Sequence, residues 1–287
     1  MGAIFEREFK SYFKSITGYI FIAFVLLFAG IYTVAVNLYG GVANFEYVFG
    51  NMSIVYLLGI PVLCMRCFAE ERSAKTDQLL YALPMGMTKI VLGKYLAMVA
   101  VLALPLLLLC VYPLVLSLFG HVYFVTAYSS IFAYFLLGAA LVSGGMFFSS
   151  LTENQIIAAV MTLIAVLLNY YGAALASLIP ATAFASFMAL SVIVLLIALV
   201  IGFLTKNVIF GSASFLVLEG VLTGLYFWKQ SAFESLFLSV MQETCLFNRF
   251  FAFVNGTFDV TAIVLYLAVI VVFVYLTVQS LEKRRWS

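Results

Sequence analysis

The chain has 287 residues, of which 66% are hydrophobic and 9% charged, and its formal net charge is +2. A soluble domain carries roughly 25% charged residues, so water is excluded as the solvent for most of this surface, and with no basic block nothing points to nucleic acid. The apolar runs are continuous and about twice as long as the ~10-residue alternating strands of an outer-membrane barrel, which excludes that class too. An all-α polytopic membrane bundle is expected.

Residues 3–16, AIFEREFKSYFKSI, come first. Ile4, Phe5, Phe9, Tyr12, Phe13 and Ile16 fall on one helical face, and Glu6, Arg7, Lys10, Ser11 and Lys14 on the other. This pattern predicts an interfacial helix over 1–16, with aromatic rings in the acyl boundary and charges among the headgroups. Acidic residues here, and no small-residue cleavage site after the first apolar run, predict that this run is retained rather than removed as a leader.

Eight apolar segments follow, at 17–38, 50–68, 92–118, 127–149, 155–175, 184–204, 208–228 and 259–280. Each is near the ~20 residues that span a hydrocarbon core. Pro105 and Pro113 predict kinks in the third. Thr205, Lys206 and Asn207 predict a tight turn between the sixth and seventh.

With the N-terminus in the cytoplasm, twelve of the fourteen Lys and Arg residues fall on the cytoplasmic side, and only Lys229 and Arg249 lie outside. An even number of spans returns the C-terminal LEKRRWS to the same side, as expected for a multi-pass protein of the cell inner (plasma) membrane. The two long connections are a cytoplasmic one at 69–91 and an external one at 229–258. Leu236, Phe237, Val240, Met241, Phe247, Phe250, Phe251 and Phe253 make the external one too apolar for a free loop, so it is expected to be membrane-associated and helical or shielded.

Signals of enzymatic chemistry are few. His121 is the single histidine, and no HExxH, GxSxG or clustered carboxylate pair occurs. Gly86 and Gly93-Lys94 have the wrong spacing for a phosphate-binding loop, and Tyr95 stands where Ser or Thr is required. Cys64 and Cys67 form a lone CxxC, read as structural. No cofactor or metal site is expected in this chain.

The 69–91 connection begins with Glu70, Glu71, Arg72, Lys75 and Asp77, continues with Leu79, Leu80 and Leu83, and stops at Pro84-Met85-Gly86. A short amphipathic helix of this kind suits a groove on a cytoplasmic partner. A solvated turn with snorkelling charges fits the residues equally well. Glu219 falls mid-span in 208–228, where a carboxylate costs about 2.5–3.5 kcal/mol on insertion scales. It reads either as a proton or cation site or as an interhelical hydrogen-bonded contact, with Thr223 one turn on. Gly220 and Gly224 form a GxxxG that would favour close helix packing.

The succession Phe68, Glu70, Glu71, Thr76, Leu79, Leu80, Leu83, Pro84, Gly93, Lys94 and Leu96 resembles the hallmark of ABC-2-type permeases, the membrane subunits of one class of ATP-binding-cassette transporter. Ser149 to Gln155 resembles that family's second cytoplasmic turn. Asn248-Arg249-Phe250 through Gly256, with Asp259 and the ending Ser280 to Trp286, resembles its last segment. The nearest subgroup is the gliding-motility-type permease, and the likeness covers about residues 1–175 and 245–287. That subgroup usually has Gly and Glu where this chain has Lys75 and Gln78, and family members commonly have six spans, so 184–204 and 208–228 are an additional pair.

The resemblance implies an exporter-like permease with no catalysis of its own. Separate ATPase subunits, holding ATP and Mg, would grip it from the cytoplasm, and a second permease, identical or related, would complete the pathway. Glu70, Glu71, Thr76, Leu79, Leu80, Leu83, Pro84, Thr152 and Glu153 would form the ATPase-coupling contacts. The alternative is an ion-coupled secondary transporter using Glu219, a class that favours inverted repeats, of which none is evident here. A membrane anchor or assembly factor is a third class.

Overall fold

The computed structural model describes residues 2–76, 86–205 and 207–285. Every element among the described residues is helical. In lipid, backbone N–H and C=O groups find no water, and a helix satisfies them within the segment. The chain is a multi-pass helical membrane protein.

Helix α1, Gly2–Lys14, is followed by α2, Ile16–Tyr32, which runs on as a π-helical stretch, Thr33–Tyr39. The expected apolar face of α1 is divided between two environments. Ile4 and Tyr12 are buried in protein, and the Tyr12 hydroxyl donates to the Leu63 carbonyl at 3.0 Å. Phe5, Phe9 and Phe13 form a half-buried ring ladder with centroids 5.8 and 5.1 Å apart. Ile16 belongs to α2 and is exposed.

The span expected at 50–68 is broken. Its helices α3, Glu46–Met52, and α4, Val55–Cys64, lie in helical stretches bent by 64° at a break between Met52 and Val55. At the bend the Ser53 hydroxyl donates to the Gly50 carbonyl at 2.8 Å, and Tyr56 and Leu57 bond back only three residues, to Ser53 and Ile54. The side chain satisfies part of what the interrupted ladder leaves open. A turn leads from α4 to the short helix α5, Ala69–Ser73.

Helix α6, Met87–Leu109, contains Pro105, and α7, Tyr112–Leu116, restarts the same span with Pro113 in its first turn, where a missing N–H costs least. Then come α8, Phe124–Leu151, and α9, Gln155–Ser177. The pair α10, Ala183–Thr205, and α11, Val208–Trp228, is the expected tight hairpin, and Asn207 caps α11 by accepting the Ile209 N–H at 3.0 Å. The 229–258 connection is helical, with a 3₁₀ turn, Gln230–Phe233, then α12, Leu236–Thr244, and α13, Leu246–Val254. Helix α14, Val260–Arg285, closes the chain. Among the described residues six helices are long and apolar enough to cross a membrane, or seven with the bent pair, against the eight expected, and the apolar stretch Ala183–Leu199 of α10 is shorter.

The chain divides into two compact units, residues 1–170 with 249–287, and residues 171–248. In the first unit α8 is the central helix, with 78% of its apolar window buried. Tyr56 and Tyr134 stack there at 4.1 Å, the Tyr56 hydroxyl donating to Tyr134 O and the Tyr134 hydroxyl to Met52 O. Gly138 makes this possible, because a Cβ on it would lie 2.7 Å from the Tyr56 hydroxyl oxygen.

In the second unit, α10 and α11 approach closely at Gly202 and Gly211, where a Cβ on Gly211 would lie 3.0 Å from the Gly202 Cα. The expected GxxxG packing at Gly220 and Gly224 is not what holds this hairpin. Both glycines are exposed, with nothing within 4 Å of an added Cβ. Phe187, Tyr226 and Phe233 cluster at the other end of the same unit, and Ser235 N donates to Ala181 O at 3.2 Å.

Candidate functional site: a buried ion cluster beside the 69–91 connection

Lys94 lies two turns into α6 with its side chain 1% exposed. Its ammonium lies 2.9 Å from the Cys67 carbonyl, 3.0 Å from Glu71 Oε2 and 3.1 Å from Glu8 Oε2, and 5.2 Å above the Phe68 ring. The ammonium thus has one hydrogen bond, to the Cys67 carbonyl, and ion pairs with two carboxylates, and the ring face adds a cation–π contact. A buried ammonium is tolerable only where opposite charge compensates it in this way. Arg7 extends the cluster outward, binding both Glu8 and Glu71, the latter at 3.1 Å. The cluster joins α1, α5 and α6.

Around it, one end of the first unit is tied by further polar contacts. Arg66 makes a fork with Glu70, at 2.7 and 2.6 Å, and its remaining arm donates to Thr17 Oγ1 at 2.8 Å. The buried Ser149 hydroxyl, near the end of α8, accepts the N–H groups of Phe68 and Ala69 at 3.1 and 3.2 Å, the donors that start α5. Arg284, at the end of α14, lies 3.6 Å from Glu153 and donates to the Leu151 carbonyl at 3.3 Å.

The residues expected to meet an ATPase are thus placed as follows. Glu70 and Glu71 turn toward Arg66 and Lys94 within the chain, with side chains 43% and 20% exposed. Thr76 closes a turn on the Glu71 carbonyl, through its N–H at 2.9 Å and its hydroxyl at 3.2 Å. Lys75 inside that turn has φ +56°, the left-handed region. Thr152 Oγ1 accepts the Asn154 N–H at 3.2 Å, and Asn154 in turn accepts the Ile156 N–H at 2.9 Å and starts α9. Leu79, Leu80, Leu83 and Pro84 lie outside the described residues.

Glu8 was not anticipated at a site, and Lys94 and Ser149 were noted only as members of the motifs that carry the resemblance, with no role of their own. For Glu8 a signal exists in the sequence, because Ile4, Glu8 and Tyr12 are four residues apart on one stripe, and Ile4 and Tyr12 are the residues α1 buries.

In the second unit, Glu219 Oε1 accepts the Ser191 hydroxyl of α10 at 2.7 Å, so the carboxylate forms an interhelical contact. Thr223, the expected partner, instead donates to the Glu219 backbone carbonyl at 2.7 Å. Glu219 Oε2 is buried and accepts no hydrogen bond among the described residues.

No group of three or more His, Cys, Asp or Glu residues able to hold a metal occurs among the described residues. Compared with known proteins, the chain matches no family model, no curated protein and no solved structure.

Proposed function

We propose that the chain is the membrane-spanning permease subunit of an ABC-2-type ATP-binding-cassette transporter, working as an exporter. It lies in the plasma membrane with both termini in the cytoplasm. Separate ATPase subunits carry ATP and Mg, and a second permease, identical or related, completes the pathway through the lipid. This chain performs no catalysis.

The observation that carries the reading is the tie between the two segments the resemblance assigns to ATPase contact. Ser149, at the head of the 149–155 turn, accepts the N–H groups of Phe68 and Ala69, at the head of the 69–91 connection. Two segments that must respond together to one partner are joined by one hydroxyl. In this reading Glu70 and Glu71 act inside the chain. A pull on the 69–91 connection passes through Glu71 to Lys94 and α6, and through Glu8 and Arg7 to α1. Leu79, Leu80, Leu83 and Pro84, with Thr152 and Glu153, remain as the contacts an ATPase meets.

The test is co-purification of the tagged chain from its own membranes. An ATPase is expected with the wild type, and it is lost in Leu80→Glu while the Tm of the chain is unchanged. Absence of any ATPase from the wild type, together with transport that runs without ATP, overturns the reading. The unpartnered Glu219 Oε2 favours a second reading, an ion-coupled secondary transporter with Glu219 as the coupling group.

A further inference from the structure

The first unit holds another polar cluster, near the start of α8 rather than its end, which the transport reading does not use. Glu46 opens α3 and is 4% exposed, and Asn37, in the π-helical end of α2, is 6% exposed. Asn44 links them. Its amide donates to Glu46 Oε1 at 2.6 Å, and its carbonyl accepts from Asn37 Nδ2 at 3.3 Å. Thr126, in the first turn of α8, lies at 3.4 Å from the same Oε1, and Asn37 Nδ2 also donates to Val42 O at 2.6 Å.

The donors are therefore spent on one oxygen of Glu46 and on loop carbonyls. Glu46 Oε2 and Asn37 Oδ1 are both buried and accept no hydrogen bond among the described residues. No Lys, Arg or His among those residues forms an ion pair with Glu46. A buried carboxylate needs a positive charge or a proton, and a buried amide oxygen needs a donor or a cation. Two orphaned acceptors in one hydrogen-bonded unit have the same chemical remedy.

We propose that Glu46 Oε2 and Asn37 Oδ1 bind a monovalent alkali cation. All-oxygen donors select a hard cation, and the absence of Cys and His from the cluster disfavours transition metals. One carboxylate balances one positive charge, whereas calcium sites gather several carboxylates. The bound ion ties the end of the first span to the start of the broken second one. Asn37 lies in a π-helical segment, a distortion frequent at functional sites.

The experiment is thermal unfolding of the full-length purified chain in sodium, potassium, lithium or calcium chloride, with choline chloride as the ionic-strength control. One alkali chloride is expected to raise the Tm by a few degrees in a saturable way, beyond choline at equal concentration. Glu46→Gln is expected to abolish this shift, and Asn37→Ala to weaken apparent affinity about tenfold or more. If Glu46→Gln does not fold, Asn37→Asp decides, because a second carboxylate should turn the preference toward calcium. Equal shifts in choline and alkali salts, or an unchanged shift in Glu46→Gln, or no gain of calcium response in Asn37→Asp, overturn the proposal.

Discussion

Lys94 Nζ lies 3.0 Å from Glu71 Oε2, and with only 1% of its side chain exposed it has no recourse to water if that partner is lost. The pair is not decoration on a loop. It is the point where the segment leaving the second span is fastened to the third. Removing one member of a buried pair leaves a charge that burial penalises, by about 3–5 kcal/mol when nothing else compensates it; Arg7 still pairs with Glu8 and Glu71, so Lys94→Met is expected to cost less than that. Adding Glu71→Leu to Lys94→Met should recover part of that loss. Denaturant titration in mixed micelles measures both, and a double variant no more stable than Lys94→Met speaks against the pairing.

Lys75 holds φ +56° in the turn that Thr76 closes. A non-glycine residue pays roughly 1–2 kcal/mol there. Lys75→Gly is therefore expected to stabilise the chain by about 1 kcal/mol, even after the greater entropy of glycine in the unfolded state is counted. A loss of stability in this variant contradicts a left-handed Lys75. The result also bears on the resemblance, since glycine is the residue that subgroup usually places here.

Gly138 and Gly144 lie on the same helix and differ in what an added methyl meets. At Gly138 it lies 2.7 Å from the Tyr56 hydroxyl oxygen and 2.9 Å from Leu102 Cδ2, whereas at Gly144 the nearest atom is Phe273 Cε2 at 3.9 Å. Gly138→Ala should cost about 1–3 kcal/mol through overpacking, and Gly144→Ala should be close to neutral. Unfolding midpoints of the two variants side by side are the check, and equal costs count against the stacked Tyr56–Tyr134 geometry.

The Ser191–Glu219 hydrogen bond joins the two helices of the second unit at 2.7 Å. Interhelical hydrogen bonds in membranes are worth about 0.6 kcal/mol on average and at most about 1.7. Ser191→Ala should cost an amount in that range. Glu219→Gln should cost less, because its amide still accepts from Ser191. Transport that survives Glu219→Gln removes the ion-coupled reading, and transport that is abolished without loss of fold favours it.

Asp259 sits just before α14, accepts the Thr261 N–H at 2.9 Å and pairs with Arg249 at 3.1 Å. The hydrogen bonds from Thr261, chiefly, and then the Ala262 N–H and the Arg249 charge hold its carboxyl below the usual range. A depressed folded-state pKa stabilises above the unfolded value of about 3.9, and that contribution is lost as pH falls through the folded value. Wild type should therefore lose Tm on acidification below pH ~4 more steeply than Asp259→Asn. Parallel acid profiles for the two exclude a role for this carboxylate.

The helical class and most of the apolar segments were legible because lipid forces long apolar runs, and a run of ~20 residues has few alternatives. The break at Ser53 was not, since a serine hydroxyl that takes a carbonyl within its own turn leaves hydropathy unchanged. Glu70 and Glu71 were singled out as part of a coupling element, but their partners within the chain were not. Their inward partners, Arg66 four residues back and Lys94 across a turn of chain, depend on folding that charge patterning does not encode. Gly220 and Gly224 show the opposite limit. The small-residue motif reads the same whether its face meets a helix or lipid, and here the close approach is made by Gly202 and Gly211, which no motif marks.

The burial of α8 has a consequence for how the protein is made. Its Gly144 and Phe147 face Phe273 of α14, a helix synthesised more than 100 residues later. While the ribosome is still producing residues 155–259, that flank of the central helix must rest against lipid or a membrane chaperone. Chains truncated before α14 should accordingly remain inserted yet be degraded early. Docking of α14 covers the flank that α8 leaves open, and a quality-control protease would read its absence there.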